Sequence, residues 1–212
     1  AMTTLAGKLH TKMQSTISEC AVEAAEAITM TSNDSVVADP TRVKVIARSG
    51  PSLEQSKLIT GLALPKKRAH VEMPSTLGAG SILLVDGGLE LRSLSTDVQL
   101  NVTSTSALQS FRDAEQQRLL EQVNMLKKLD VTLLACREGI DDSTHAHLAE
   151  AGIKAFRRVA KSDLELLARG CGARLVPTIH QAKDADVGVF ISSRCERWGD
   201  VEHWILETDE GG

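Results

Sequence analysis

An α/β core with parallel strands, preceded by a helix-led arm, is the fold class that the 212 residues predict. Three observations carry it. From residue 131 to residue 179 short apolar runs alternate with helix-spaced stretches, the order expected of strands joined by crossover helices. Gly152 and Gly172 stand where the helices of that stretch have to stop. The first 66 residues have another rhythm, a long helical stripe with no concentration of apolar residues able to form a core alone.

Taken in order, Leu5, Leu9, Met13, Ile17, Ala21, Ala24 and Ile28 recur in steps of three or four, which predicts one long amphipathic helix over 3–30. TSNDS ends it with turn-forming residues, and Asp39-Pro40 restricts the backbone before RVKVIA, residues 42–47, which alternates like a strand. KLITGLALPKKR predicts a further extended segment in which Gly61 allows a bend or a close approach. SILLVD, 81–86, reads as a buried strand, Asp86-Gly87-Gly88 as a turn, and DVQLNV, 97–102, as a half-exposed strand. A helix is predicted over 106–129, with a stripe of Leu119, Leu120, Val123, Leu126 and Leu129; Leu108 and Phe111, isolated among polar neighbours, are expected to project outward. VTLLAC, HAHLAEAG, IKAFRRV, SDLELLARGCG and ARLVPTI then alternate strand and helix, with Ser162-Asp163 as a helix start. VGVFISSRCER and HWILE, joined at Trp198-Gly199-Asp200, predict an antiparallel hairpin.

Composition narrows the function. A net charge of −4 argues against a dedicated nucleic-acid surface, and 2% aromatic content with no Tyr argues against stacking on bases or sugars. No apolar run reaches the roughly 18 residues needed to cross a bilayer, so a cytoplasmic protein without a membrane partner is expected. Cys20, Cys136, Cys171 and Cys195 form no close pairs and are expected as buried thiols. The opening Ala1-Met2 reads as a cloning scar before a native methionine or an internal start, so the chain is taken as an excised piece.

No phosphate loop, nucleophile elbow or HExxH motif is present, since Gly78-Ala79-Gly80 precedes a strand where a phosphate loop would open a helix. Asp141, Asp142, His145 and His147 are the candidate metal ligands. Helical spacing counts against them, because His147 leaves the face that His145 shares with the aspartates; a capping aspartate and solvated histidines are expected. Arg157 and Arg158, read as strand neighbours, are expected on opposite sides.

The order of these segments resembles a known family. GIDDSTHAHLAEAGIKAFRRVAKSDLELLARGCGARLV is similar to the apical-domain signature of group II chaperonins, the archaeal thermosome and the eukaryotic cytosolic CCT ring. GPSLEQSKLITGLALPKKRAHVEMP and SILLVDGGLEL resemble further segments of the family in the same order, and the likeness runs from about Leu5 to about Glu210.

The resemblance implies a partial intermediate domain over 1–66 and an apical domain with a helical protrusion over 67–212. It implies unfolded polypeptide clients and other chaperonin subunits in a double ring as partners. ATP and Mg would belong to the full-length parent, with no catalytic, cofactor or metal residue in this chain, because the GDGTT loop and the returning intermediate arm are absent. Residues 105 to about 121 match the lid protrusion, with Leu108 and Phe111 as lid contacts. Ser143, Ala146, His147 and Glu150 on the helix after GIDD, and Leu89 and Leu91 in the loop after the LLVD strand, are the candidate client contacts. Where the family commonly has His-Tyr, this chain has Ala146-His147, which removes an aromatic contact. Two alternatives remain at this point: a chaperonin-like assembly scaffold without folding activity, and a small metal-dependent α/β enzyme centred on Asp141, Asp142 and His145.

Overall fold

The computed structural model describes residues 1–32, 35–50, 52–90 and 105–209, and side chains within these except 30–36, 105–112 and 115. Its axis is strand β5 (Gly80–Val85), whose run of Ile82, Leu83, Leu84 and Val85 is at most 1% exposed. Four consecutive apolar positions in a strand have to be covered on both faces, and these are. Leu83 and Val85 point into one cluster with Leu134, Cys136 and Ala155; Ile82 and Leu84 point into a second with Leu133, Ala135 and Phe156. The period of two thus runs unbroken through β6 (Leu133–Cys136) and β7 (Lys154–Phe156), which lie parallel to β5 in the order β7-β6-β5-β8, with β8 (Leu175–Val176) on the far side.

Helices α3 (Thr105–Lys128) and α4 (Asp142–Glu150) cover the first face through Val123, Leu126 and Leu148. Helix α5 (Lys161–Cys171) covers the second through Leu164, Leu167 and Cys171. Beside α5 lies a four-stranded antiparallel sheet, β3-β11-β10-β4, formed by β3 (Gly61–Leu64), β4 (Thr76–Leu77), β10 (Ser192–Trp198) and β11 (Val201–Glu207). Leu64, Trp204 and Leu206 join it to the central sheet, and Phe156 stacks on Trp204 at 3.9 Å with 10° between the rings. Strand β3 precedes the expected division at residue 66, yet it is hydrogen-bonded to β11 along its whole length.

Several expectations are corrected. The N-terminal helix is two: α1 (Met2–Leu5) and α2 (Thr11–Ala27), separated by Gly7 at φ 77° and an extended His10. A left-handed residue cannot continue a right-handed helix, so the stripe is spaced correctly across a broken backbone. What was read as a helix end and turn is a hairpin, β1 (Thr29–Ser32) paired with β2 (Ser35–Ala38). Residues 43–50 form no strand; Val45 is 87% exposed, and the segment is instead tied by Arg48 Nε donating to His203 Nε2 at 3.2 Å.

In α3 Leu119, Val123 and Leu126 are buried, while Leu120 is 40% exposed. VGVFISSRCER is not continuous either: β9 (Gly188–Phe190) pairs antiparallel with β5, and after Ile191 the chain enters the other sheet as β10. Strand β7 stops at Phe156, and Arg158 sits at φ 55°, so the two arginines do not alternate in a strand. Helix α5 begins at Lys161 after Ala160, with no side-chain cap, and Ser162-Asp163 fall within its first turn. Of the thiols, Cys136 and Cys171 are buried but Cys20 and Cys195 only half-buried; burial pushes the Cys171 thiol up to about 12. The expected strand over 97–102 lies outside the described residues.

Two polar groups are held inside or against this framework by full sets of partners. Lys154 is 0% exposed, and its Nζ donates to Ser75 O at 2.8 Å and to Ser193 O and Oγ at 3.3 Å. Burial first, with Arg68 adding, lowers its pKa against the opposing influence of Cys195 and Glu202. On the outer side of the second sheet Glu196 accepts from Arg194 Nε at 2.7 Å, Trp198 Nε1 at 2.9 Å and Lys57 Nζ at 2.9 Å.

Burial raises the pKa of Glu196, but these donors outweigh it and hold the carboxyl at about 2. A depressed acid contributes stability that is present above its ordinary value of 4.5 and lost as the pH falls towards 2. Glu196→Gln is therefore expected to flatten the acid side of the stability profile in this window by about 1 kcal/mol, allowing for solvent screening. Urea midpoints of both proteins across that range check it, and parallel profiles would contradict it.

Candidate interaction face on helix α4

Helix α4 is positioned by the turn before it. After β6 the chain runs through Gly139 and Ile140, where Leu89 N donates to Gly139 O at 3.0 Å and Asp141 N donates to Leu89 O at 3.1 Å. Ile140 and Leu89, bridged in parallel, are 2% and 1% exposed and anchor both segments in the first cluster. Asp141 takes the N-cap position with extended backbone and no side-chain cap hydrogen bond. Gly152, at φ 72°, ends the helix region, and its N donates back to Ala149 O at 2.9 Å.

Nine residues make a helix of about 13.5 Å. Thr144 and Leu148 face inward at 0% exposure and Ala151 is half-buried, as helical spacing predicts. Ser143, Ala146 and Glu150 are exposed on the other side, and His147 is half-buried, its Nδ1 3.7 Å from Glu150 Oε2. The outer face is thus small and polar, with one ionisable pair along its edge.

Of the remaining predicted contacts only the side chain of Leu89 is described. Leu89 is withdrawn from the exposed surface, because the bridge to Ile140 carries it into the core. Leu91 lies outside the described residues. The backbones of Leu108 and Phe111 fall in α3, but their side chains lie outside the described ones. In α3 Asp113, Ala114, Gln116, Gln117 and Arg118 are exposed, and among the described side chains of the helix Leu119 is the first buried one.

The candidate metal ligands diverge. Asp142 is fully exposed, with Oδ1 3.5 Å from Nδ1 of His145, whereas the His145 side chain is 3% exposed and His147 turns towards Glu150. Among the described residues no group of three or more His, Cys, Asp or Glu side chains is placed to hold a metal ion. Likewise, among them no helix is long and apolar enough to cross a membrane.

The expectation of a solvated His145 is corrected by a segment that local reading had not connected with α4. Residues 68–73 lie alongside the helix, with the His70 ring 6.1 Å from the His145 ring and tilted by 32°. Ala69 N donates to Ala155 O at 2.8 Å, and Met73, 1% exposed, fills the space beneath. Burial first, then the charge of Arg157 and the neighbouring His70, lower the pKa of His145; Asp142 and Asp141 oppose them. Val71, next to His70, is left 74% exposed. No spacing in the sequence links residue 70 to residue 145.

The comparisons with known proteins bear on the whole chain. The model of the TCP-1/cpn60 chaperonin family matches residues 1–211. A thermosome subunit of Methanopyrus kandleri is 32% identical over 188 residues, and a thermosome subunit beta of Archaeoglobus fulgidus is 33% identical over the same length; each alignment covers 89% of this chain and 34% of the relative. The chain thus spans about a third of the length of the curated relatives it matches. The open-state monomer of a group II chaperonin from Methanococcoides burtonii shares its fold, with a TM-score of 0.70 and 24% identity over 98% of this chain and 46% of that one. With its sequence matched almost from end to end, the chain belongs to the TCP-1/cpn60 chaperonin family.

Proposed function

We propose that residues 67–212, together with β3, form the substrate-holding and lid-bearing part of a group II chaperonin subunit, and that the preceding residues belong to its intermediate domain. The partners are unfolded polypeptide clients and neighbouring subunits of a double ring. ATP and Mg act in the full-length parent, and this chain contributes no catalytic, cofactor or metal residue. The supporting observation is the outer face of α4: Ser143, Ala146, His147 and Glu150 stand away from a helix whose inner face is locked into the core. Such a face has little apolar area, so each subunit holds a client weakly and strength comes from several copies around a ring. The exposed side chains of α3 before Leu119 are consistent with a helix that runs beyond the core as a lid element.

A photo-crosslinking residue at Ala146 or Glu150 tests the reading directly. On dilution of a chemically denatured protein into the labelled chain, crosslinks from Ala146 are expected to exceed several-fold those from the exposed Glu165 of α5, on the other side of the central sheet. Equal yields would remove α4 from the client surface, and no crosslinks from any position would leave a chaperonin-like assembly scaffold as the function.

A further inference from the structure

We propose that His70 and His145 form an acid-sensitive latch that holds residues 68–73 against α4 and releases them when His145 takes up a proton. The inference does not depend on what α4 binds.

His145 is sealed, 2% exposed, on a nine-residue helix whose neighbouring residues on either side belong to different surfaces, Thr144 to the core and Ala146 to solvent. Its Nε2 is buried without a hydrogen-bond partner among the described residues. A neutral imidazole tolerates this with its proton on Nδ1, directed at Asp142 Oδ1 3.5 Å away, and a bare lone pair on Nε2. A second proton would become a buried N–H with no acceptor, the more costly way of leaving the atom unmatched.

The charges around the ring do not rescue it. Asp142 is 100% exposed, so water screens its carboxylate, and Asp141 stands at the same helix end. Arg157, beyond β7, and His70, in the covering segment, both oppose a positive charge on His145. Glu72 is engaged with His70: its backbone N donates to His70 Nδ1 at 3.3 Å, and its carboxylate lies 3.9 Å from the same atom. His147 points away to Glu150.

The covering segment is built to move as a unit. Val71, within it, is 74% exposed, Arg68 ties its two ends together by donating to Met73 O at 3.1 Å, and besides the buried Met73 side chain the segment is fixed to the fold by Ala69 N donating to Ala155 O and the weak donation of Ala155 N to Met73 Sδ at 3.3 Å. Opening gives the protonated ring water and separates it from His70. It also bares Met73, which is otherwise buried in the first cluster with Leu148 and Ala155. Above the ordinary histidine value of 6.5 both states are neutral and the latch is closed; as the pH falls below it, the open form binds the proton more readily and gains population.

Amide hydrogen exchange of the 212-residue chain, corrected for the intrinsic pH dependence, reads the latch. Residues 69–73 are expected to lose protection about tenfold between about pH 7.5 and about pH 5.5, while β5 and β6 keep theirs. In His145→Leu, which fills the site without a titrating group, residues 69–73 should be equally protected at both values. Unchanged protection in the parent chain, or the same loss in His145→Leu, overturns the proposal. Should that variant not fold, the parent chain decides alone by NMR: the amide shifts of 69–73 must follow the midpoint of the His145 ring protons, and a ring that titrates without moving them overturns it.

Discussion

Trp204→Ala is expected to lower the stability of the chain by about 3–5 kcal/mol. The side chain is 1% exposed and lies at the seam where the antiparallel sheet meets the parallel one, stacked on Phe156 at 3.9 Å. Removing it empties the centre of the second cluster, which Leu64, Phe190 and Leu206 close from the sides, and these strands cannot collapse inward without breaking register. It also removes the donation from Nε1 to Ser193 Oγ at 3.1 Å, leaving that hydroxyl to Lys154 alone. Trp204→Phe keeps most of the area and loses the hydrogen bond, so about 1–2 kcal/mol is expected for it. Urea unfolding followed by far-ultraviolet circular dichroism measures both. A loss under about 1.5 kcal/mol for the alanine variant would show that the two sheets are not joined through this ring pair.

The parts of this fold that could be read from the sequence are those where burial is written locally. Residues 82–85 of β5 and all of β6 are apolar because both faces are covered, and α5 is bounded by Gly172, which adopts φ 66° at its C-cap. The unreadable parts depend on partners remote in the chain. Residues 42–47 have strand-like alternation, but no ladder forms along them, and the side-chain tie of the segment, Arg48 to the ring of His203, comes one residue later. The run from Val187 to Arg197 keeps an apolar period while changing sheets at Ile191, where the backbone N–H turns to Glu207 O at 2.8 Å. At the candidate site the same division holds. Helical spacing correctly separates Leu148 from Ala146 and Glu150, whereas the burial of Leu89 depends on its bridge to Ile140 and that of His145 on a segment some seventy residues earlier.

Gly61→Ala carries the other large effect, and it bears on where the second structural region begins. At φ 134° this residue has a backbone that side chains disfavour, and a Cβ there would stand 2.1 Å from Leu206 O and 3.0 Å from Glu207 Cα. Both obstacles are backbone atoms of β11, in register with β3 through Leu206↔Leu62 and Glu207↔Gly61, so no flexible side chain can yield. The conformation alone costs about 1–3 kcal/mol, and moving the strand apart to relieve the clash brings the expected loss to about 4 kcal/mol. Gly78→Ala serves as the contrast: its Cβ would meet nothing within 4 Å, and a change within about 0.5 kcal/mol is expected. Hydrogen exchange adds location to the loss, because a displaced β3 uncovers the alternate amides of β11 between Trp204 and Glu207 that face it, while those facing β10 and those of β6 remain protected. If Gly61→Ala leaves stability and these amides unchanged, β3 is not part of the second sheet and the division near residue 66 stands as the sequence suggests. If it behaves as expected, residues 61–64 fold with the region that follows them, because Leu64 shares a core with Trp204 and Phe156 and Leu62 packs against the same cluster.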